Sequence, residues 1–226
     1  MKSQNEELII ALPKGKLGED AIELLKKVGL PGEAIQEDSR KLWYDFPESG
    51  IKYLICRPTD IPTYVEYGAA DLGIVGKDTL EEAGSDVFEL VDLGFGYCRF
   101  VVAIPQKSVD KVKEAYGEFN LKHFNNTRVA TKFPKITKKY FEAKGMQVEV
   151  LKLHGNIELA PSVGLSEMIV DLVSTGRTLK ENNLLAVEEM FEASARLIAN
   201  RVSYRMKNER LQDVANKCYE FLNMKE

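Results

Sequence analysis

The chain has 226 residues, of which 44% are hydrophobic and 29% charged, with a formal net charge of −4. That length suits one large or two small domains with a sizeable core, and the slight acidity excludes a globally basic nucleic-acid surface. No apolar run approaches the roughly 20 residues of a membrane span, the polar start MKSQNEELII is unlike a signal peptide, and three widely spaced cysteines make neither a disulfide framework nor a CxxC metal site, so a reduced, cytoplasmic protein is expected.

In chain order, LIIAL (8–12) reads as a buried strand and KLGEDAIELLKKVG (16–29) as an amphipathic helix stopped by Gly29. IKYLICR (51–57) is strand-like; IPTYVEYGA follows as a helix with Asp60 as N-cap and Pro62 in its first turn. ADLGIVG (70–76) is a strand, KDTLEEAG a short helix ending at Gly84, and VFELVDLG and CRFVVAIP (98–105) are strands. VDKVKEAYGEF is helical, RVATKF (128–133) a strand, PKITKKYFEAKG (134–145) a helix opened by Pro134 with a solvated lysine face, MQVEVLKL (146–153) a strand, and MIVDLVS (168–174) a strand feeding a short helix. The segment 184–200 fits either a helix or an extended strand. One amphipathic helix is expected from Asn200 to Asn223. Strands alternating with helices imply mostly parallel α/β sheets. Two such runs without a flexible linker suggest two lobes with a ligand cleft between them.

The most informative stretch is MIVDLVSTGRTL (168–179). A strand that turns into a helix presents unpaired backbone N–H groups, a ready anion site. Gly176 admits a phosphate close to the backbone, and Ser174, Thr175 and Thr178 add hydroxyl donors. Asp171, just before the turn, repels phosphate but accepts hydrogen bonds from the two hydroxyls of a ribose. Together they suggest a ribose 5-phosphate. Helix capping alone would also place Asp, Ser and Thr there. The string resembles the 5-phosphoribosyl 1-pyrophosphate (PRPP) loop of phosphoribosyltransferases. The common class carries two adjacent acids before the loop; here the second position is Leu172.

Other motifs place charge at strand ends, which border the ligand crevice in α/β sheets. LPKGKL puts Lys14, Gly15 and Lys16 after the first strand, where the lysines can meet ATP phosphates or pyrophosphate. Arg57 ends IKYLICR and can clamp a phosphate in bidentate fashion, stabilising a leaving pyrophosphate as its charge grows; an Arg57–Asp60 surface pair is the bland reading. In GAADLGIVGKD, Gly73 lets a ring or phosphate lie on the backbone, and Asp71 is the polar group expected to face a cleft. Arg99 is a candidate ATP contact. Cys98 and the histidines His123 and His154 read as structural.

ALPKGKL (11–17), RPTDIPTYVEYGAADLGIVGKD (57–78), LGFGYCRFVVAIP (93–105), LHGNIELAP (153–161), GLSEMIVDLVSTGRTL (164–179) and VEEMFEASARLIANRVSYRMK (187–207) together give the chain a near full-length resemblance to the catalytic subunits of short-form ATP phosphoribosyltransferases. The resemblance implies a two-lobed α/β fold like type II periplasmic binding proteins, with residues 1–96 plus 184–226 as the first lobe, 97–183 as the second, the PRPP loop in the latter, and no C-terminal regulatory domain. It implies that 187–200 returns to the first lobe as a strand. It implies transfer of the phosphoribosyl group of PRPP to N1 of ATP, with Mg²⁺ held mainly by substrate phosphates and no fixed metal ligand. Arg57 and Lys16 are the expected catalytic groups. Glu158, Asp171, Ser174, Thr175, Gly176, Arg177 and Thr178 are expected at PRPP, and Leu12, Lys14, Gly15, Asp71, Gly73 and Arg99 at ATP. The implied partners are a second copy of the chain and a subunit similar to histidyl-tRNA synthetase, in a hetero-octamer. A solute-binding or sensor module on the same fold, and a phosphoribosyltransferase for another base, are the alternatives. The PRPP-like loop argues against the first, Leu172 and the RPTD and GLSEM motifs against the second.

Overall fold

The structure is a computed structural model that describes residues 7–35 and 40–224; residues 1–6 of the polar start lie outside them. The chain divides into two compact units, one running to Tyr97 and resuming at Ser194, the other Cys98–Ala193. Among the described residues no helix is long and apolar enough to cross a membrane.

In the first unit, β1 (Leu8–Pro13), α1 (Lys16–Lys27), β2 (Trp43–Phe46), β3 (Ile51–Cys56), α2 (Ile61–Glu66), β4 (Leu72–Gly76), α3 (Lys77–Ala83) and β5 (Phe88–Asp92) run in sequence. In the second follow β6 (Cys98–Pro105), α4 (Gln106–Tyr116), β7 (Thr127–Thr131), α5 (Pro134–Ala143), β8 (Val148–Lys152), α6 (Leu159–Ser162), β9 (Met168–Val173), α7 (Arg177–Glu181) and β10 (Leu184–Ala193). The chain then completes the first unit with β11 (Ala195–Ala199), α8 (Arg201–Met206) and α9 (Asn208–Asn223).

The first sheet has the order β2-β3-β1-β4-β11-β5, the second β10-β6-β9-β7-β8. The pairs β1–β3, β1–β4, β7–β8 and β7–β9 are parallel. The pairs involving β2, β5, β6, β10 and β11 are antiparallel. The sheets are therefore mixed rather than mostly parallel: helical crossovers make the parallel centre, while β2 and the strands around both passages between units enter antiparallel. In each sheet the connections from the central strand diverge, between β1 and β4 and between β7 and β9. The carboxyl ends at such a switch point form a crevice.

Both sheets are buried on two faces, which is why their strands read as near-continuous apolar runs. In the first, Leu8, Ile10, Leu12 and Ile74 pack under α1 and α9, while Ala11, Val75 and Ile198 pack under Ile61 and Val65 of α2. In the second, Phe100, Val102 and Val129 meet Ile136 and Phe141 of α5; Val101, Ala130 and Ile169 meet Ala160 and Leu179 on the other face.

Four sequence expectations change. The segment 184–200 is two strands, and Leu184–Ala193 pairs with β6, so these ten residues go with the second unit; only β11 joins the first sheet. WYDF, passed over in the sequence, is an edge strand on β3. Asp60 does not cap α2: it has helical backbone angles and ends a 3₁₀ turn, Pro58–Asp60, that runs straight into the helix. Finally, the last helix is broken at Lys207, whose backbone (φ −123°, ψ 31°) leaves the helical region. Asn200 caps α8 as expected, accepting from the N–H groups of Val202 and Ser203 at 2.9 and 2.8 Å.

The break has a physical reason. Lys207 Nζ donates to both carboxylate oxygens of Asp71, at 3.0 and 2.9 Å, and to the Glu7 carbonyl at 2.8 Å. Asp71, only 4% exposed, also accepts from Ile9 N–H at 2.9 Å. The pair joins the amino ends of β1 and β4 to the tail of the chain. Removing one partner of a buried pair leaves an uncompensated charge. Lys207→Met is expected to cost about 3 kcal/mol of stability, read by urea or thermal unfolding, with Lys207→Arg losing much less.

Candidate active site

The switch point of the second sheet carries the PRPP-like motif. Met168, Ile169 and Val170 are buried in β9, so Asp171 comes to the carboxyl end of the strand with Val173 as its last residue. Ser174, Thr175 and Gly176 make the turn, and Gly176 adopts φ 74°, ψ 1° as α7 begins. That left-handed conformation costs an ordinary residue about 1–2 kcal/mol, which explains the glycine. The N–H of Arg177 leans on the Thr175 hydroxyl at 3.5 Å. Among the described residues the N–H groups of Thr175 and Gly176 find no acceptor. The helix α7 has only five residues, so its macrodipole is small; the turn's own N–H and hydroxyl groups supply the anion-binding capacity.

These residues surround a pocket of 180 Å³ lined also by Glu158, Arg177 and Thr178. The structure thus brings together all seven residues expected at PRPP. Two carboxylates in one small pocket have electrostatic consequences. Burial pushes the Asp171 carboxyl above its ordinary value, and the charge of Glu158 adds to the shift. The N–H of Leu172, 2.9 Å from Asp171 Oδ1, and the charge of Lys132 oppose it. Lys132 has no part in the sequence reading; a cation one residue beyond the strand Thr127–Thr131 is the signal that marks it. Arg177 is 83% exposed and its Nε pairs with Glu181 at 2.8 Å.

Arg99 belongs to this neighbourhood as well. It lies in β6 opposite Val173, pairs with Glu189 at 3.0 Å, and lines a 570 Å³ pocket with Gly176 and Lys180. Cys98 Sγ contacts the Ala193 carbonyl at 3.8 Å, and His123 stacks on Tyr116 with centroids 4.2 Å apart; both act as structural residues.

The first unit sorts its candidates by sheet end. Lys14 and Gly15 lie at the carboxyl end of β1, with Lys14 N–H bonded to the Cys56 carbonyl at 3.0 Å. Arg57 follows β3 and is exposed. The side chains of Lys14 and Arg57 have no ion-pair partner among the described residues, so the Arg57–Asp60 pair does not form. Lys16 is paired with Asp20 at 2.9 Å and Glu19 at 3.4 Å on its own helix, and the Asp20 hydrogen bond raises its pKa. Three residues expected at ATP have structural roles in the free protein. Leu12 is a core side chain under α1. Asp71 is at the amino end of β4, tied to Lys207 and Ile9. Gly73 is a packing glycine: a Cβ there would lie 2.8 Å from methyl groups of both Ile61 and Val65. Only a residue without a side chain lets α2 sit this close to β4.

This arrangement is that of a known family. The family model described as HisG, ATP phosphoribosyltransferase, matches residues 57–220. The chain belongs to the ATP phosphoribosyltransferase family. It is 61% identical over 207 residues to the ATP phosphoribosyltransferase of Moorella thermoacetica, covering 92% of this chain and 90% of the relative. It is 56% identical over 215 residues to that of Desulfitobacterium hafniense, covering 95% and 96%. Among solved structures it resembles the ATP phosphoribosyl transferase (HisG:HisZ) complex from Thermotoga maritima, with TM-score 0.76 and 35% identity over 96% of this chain and 99% of that one. The aliphatic sulphonate binding protein SsuA of Escherichia coli, at 15% identity and TM-score 0.60 over 95% of this chain and 72% of that one, shares the fold alone.

For a packing glycine, the expected result of Gly73→Ala is a loss of about 1–3 kcal/mol from overpacking, measured by denaturant unfolding, with an unchanged KM for ATP.

Proposed function

We propose a division of labour among these residues for the family's reaction. As an ATP phosphoribosyltransferase the chain joins N1 of the ATP adenine to C1 of the PRPP ribose and releases pyrophosphate, the first step of histidine biosynthesis. The observation that carries the residue assignment is the 180 Å³ pocket where two carboxylates meet a turn with unbonded N–H groups. In this reading the N–H groups of Thr175 and Gly176 and the hydroxyls of Ser174, Thr175 and Thr178 hold the 5-phosphate. Asp171 and Glu158 accept the ribose hydroxyls, and Arg177 flanks the phosphate.

Displacement at the anomeric carbon needs alignment, a neutralised leaving group and exclusion of water. Adenine N1 attacks with its own lone pair, so no general base is required. Arg57 and Lys14, which carry no competing ion pair, are assigned to phosphate oxygens. Lys16 joins them by exchanging its solvent-exposed partners for phosphate; exposed pairs of this kind are weak. Gly15 and Arg99 complete the ATP assignment. Loss of the Arg57 charge through Arg57→Ala is expected to lower kcat by about 10²–10³, as for a deleted transition-state donor.

Among the described residues no group of three or more His, Cys, Asp or Glu side chains forms a metal site. Magnesium carried by substrate phosphates needs only one or two carboxylates and keeps several waters, and the pocket's donor set fits that. Glu158 would be the protein's contact, and the ion when bound supplies charge neutralisation to the pyrophosphate. The Thermotoga maritima relative is solved as a complex of two proteins. For this chain a partner similar to histidyl-tRNA synthetase, a dimeric core, hetero-octameric assembly and cytoplasmic location follow from the family resemblance.

The test is pyrophosphate release from PRPP and Mg²⁺ on adding ATP, with and without that partner. ATP-dependent release stimulated by the partner is expected; release with guanine or orotate in place of ATP would overturn the reading. A pH profile tests Asp171. Ribose hydroxyls need its ionised form, and burial holds its proton to higher pH than usual. PRPP affinity should therefore fall with decreasing pH from a point above the ordinary aspartate value of about 3.9. Asp171→Asn should bind PRPP weakly at every pH and lack that acid limb.

A further inference from the structure

The PRPP pocket is short of positive charge. Its lining carries Glu158 and Asp171 against Arg177 alone, and Arg177 is already paired with Glu181. PRPP is itself polyanionic, with a phosphate at one end and a pyrophosphate at the other. The loop at α7 accounts for one end only.

The sheet order gives the ligand a direction. The helix α7 leaves β9 toward β10 and packs beside it, so the turn Ser174–Gly176 lies on the β6/β10 side of β9. The opposite neighbour of β9 is β7, with Thr131 in register with Val170. One step further along both parallel strands, Lys132 stands at the register position of Asp171, at the carboxyl edge of the switch point. A ribose whose hydroxyls sit on Asp171 and whose C5 points to the turn directs C1 and its pyrophosphate toward β7.

Lys132 suits that end. Its side chain is exposed and forms no hydrogen bond or ion pair among the described residues. Its charge nevertheless reaches Asp171. The residues beneath it are fixed: Thr131 and Thr137 are fully buried, with the Thr131 hydroxyl accepting from Phe133 N–H at 3.0 Å, so the backbone on either side of Lys132 is held while its ammonium is left free.

We propose that Lys132 binds the pyrophosphate group of PRPP, forming with Asp171 and the Ser174–Thr178 turn a line of contacts across the ends of β7 and β9. The inference rests on the reading that the turn holds the 5-phosphate. The ammonium gains partners as charge builds on the departing pyrophosphate, so it contributes to both binding and catalysis.

The test measures equilibrium binding of three probes to the purified full chain: PRPP, magnesium pyrophosphate and ribose 5-phosphate. Lys132→Ala, Lys132→Arg and Thr178→Val are compared with the unaltered protein. A lost charge-assisted contact predicts that Lys132→Ala weakens PRPP and pyrophosphate by about 10- to 100-fold, leaves ribose 5-phosphate within about two-fold, and is largely restored in Lys132→Arg. Thr178→Val should weaken PRPP and ribose 5-phosphate and spare pyrophosphate. Equal weakening of ribose 5-phosphate and pyrophosphate by Lys132→Ala would place the lysine's action on Asp171 and overturn the proposal, as would no change in any probe. If Thr178→Val leaves ribose 5-phosphate binding intact, the reading of the loop itself fails, whatever Lys132 does.

Discussion

Two main-chain N–H groups with no acceptor among the described residues, at Thr175 and Gly176, stand beside a carboxylate that burial has made reluctant to ionise. Burial of the carboxylate is a cost in the free protein, while the turn, with Thr175 exposed, leaves its donors open to solvent and to a ligand. In the proposed reading a ribose phosphate meets both, its phosphate on the N–H groups and its hydroxyls on the carboxylate. The second unit is organised to hold this arrangement. The strand β9 is buried on both sides, so the position of Asp171 is set by the core packing of Ile169 and Val170.

The first unit spends its charge differently. At the carboxyl end of its sheet Lys14 and Arg57 have no ion-pair partner among the described residues, while at the amino end Asp71 and Lys207 are locked together. One end is kept available and the other is sealed. Rigid sheets with ligand groups confined to loops beyond their strands are the usual division in α/β proteins. Here the seal also joins the chain's last helices to its first strand, since the Lys207 ammonium reaches the Glu7 carbonyl.

The turn at Ser174–Gly176 and the pocket around it were legible in the sequence because their signals are local. A strand, a carboxylate, hydroxyls and a glycine fall within twelve residues, and their spacing alone implies a nest. The strands and most helices were legible for the same reason, since apolar runs and capping residues are short-range signals. The structural roles of Asp71 and Gly73 were not legible, because sequence proximity to a glycine-rich turn says nothing about which end of a strand a residue occupies or what packs behind it. Asp71 finds its partner 136 residues away, and Gly73 owes its identity to methyl groups on a helix crossing behind it. The assignment of 184–193 failed similarly: an acid-rich amphipathic segment pairs with whichever edge is open, and β6 offered one. Lys132 follows a strand end in the sequence, but its place beside Asp171 comes from the register of β7 on β9.

The central claim is that the turn's free N–H groups receive the phosphate. It is tested most directly by amide chemical shifts of the isotope-labelled protein during a titration with ribose 5-phosphate. The account predicts that the largest downfield movements fall on the amides of Thr175 and Gly176, saturating together, and that free ribose leaves them unmoved. Saturable ribose 5-phosphate binding that leaves those two amides unmoved would contradict it.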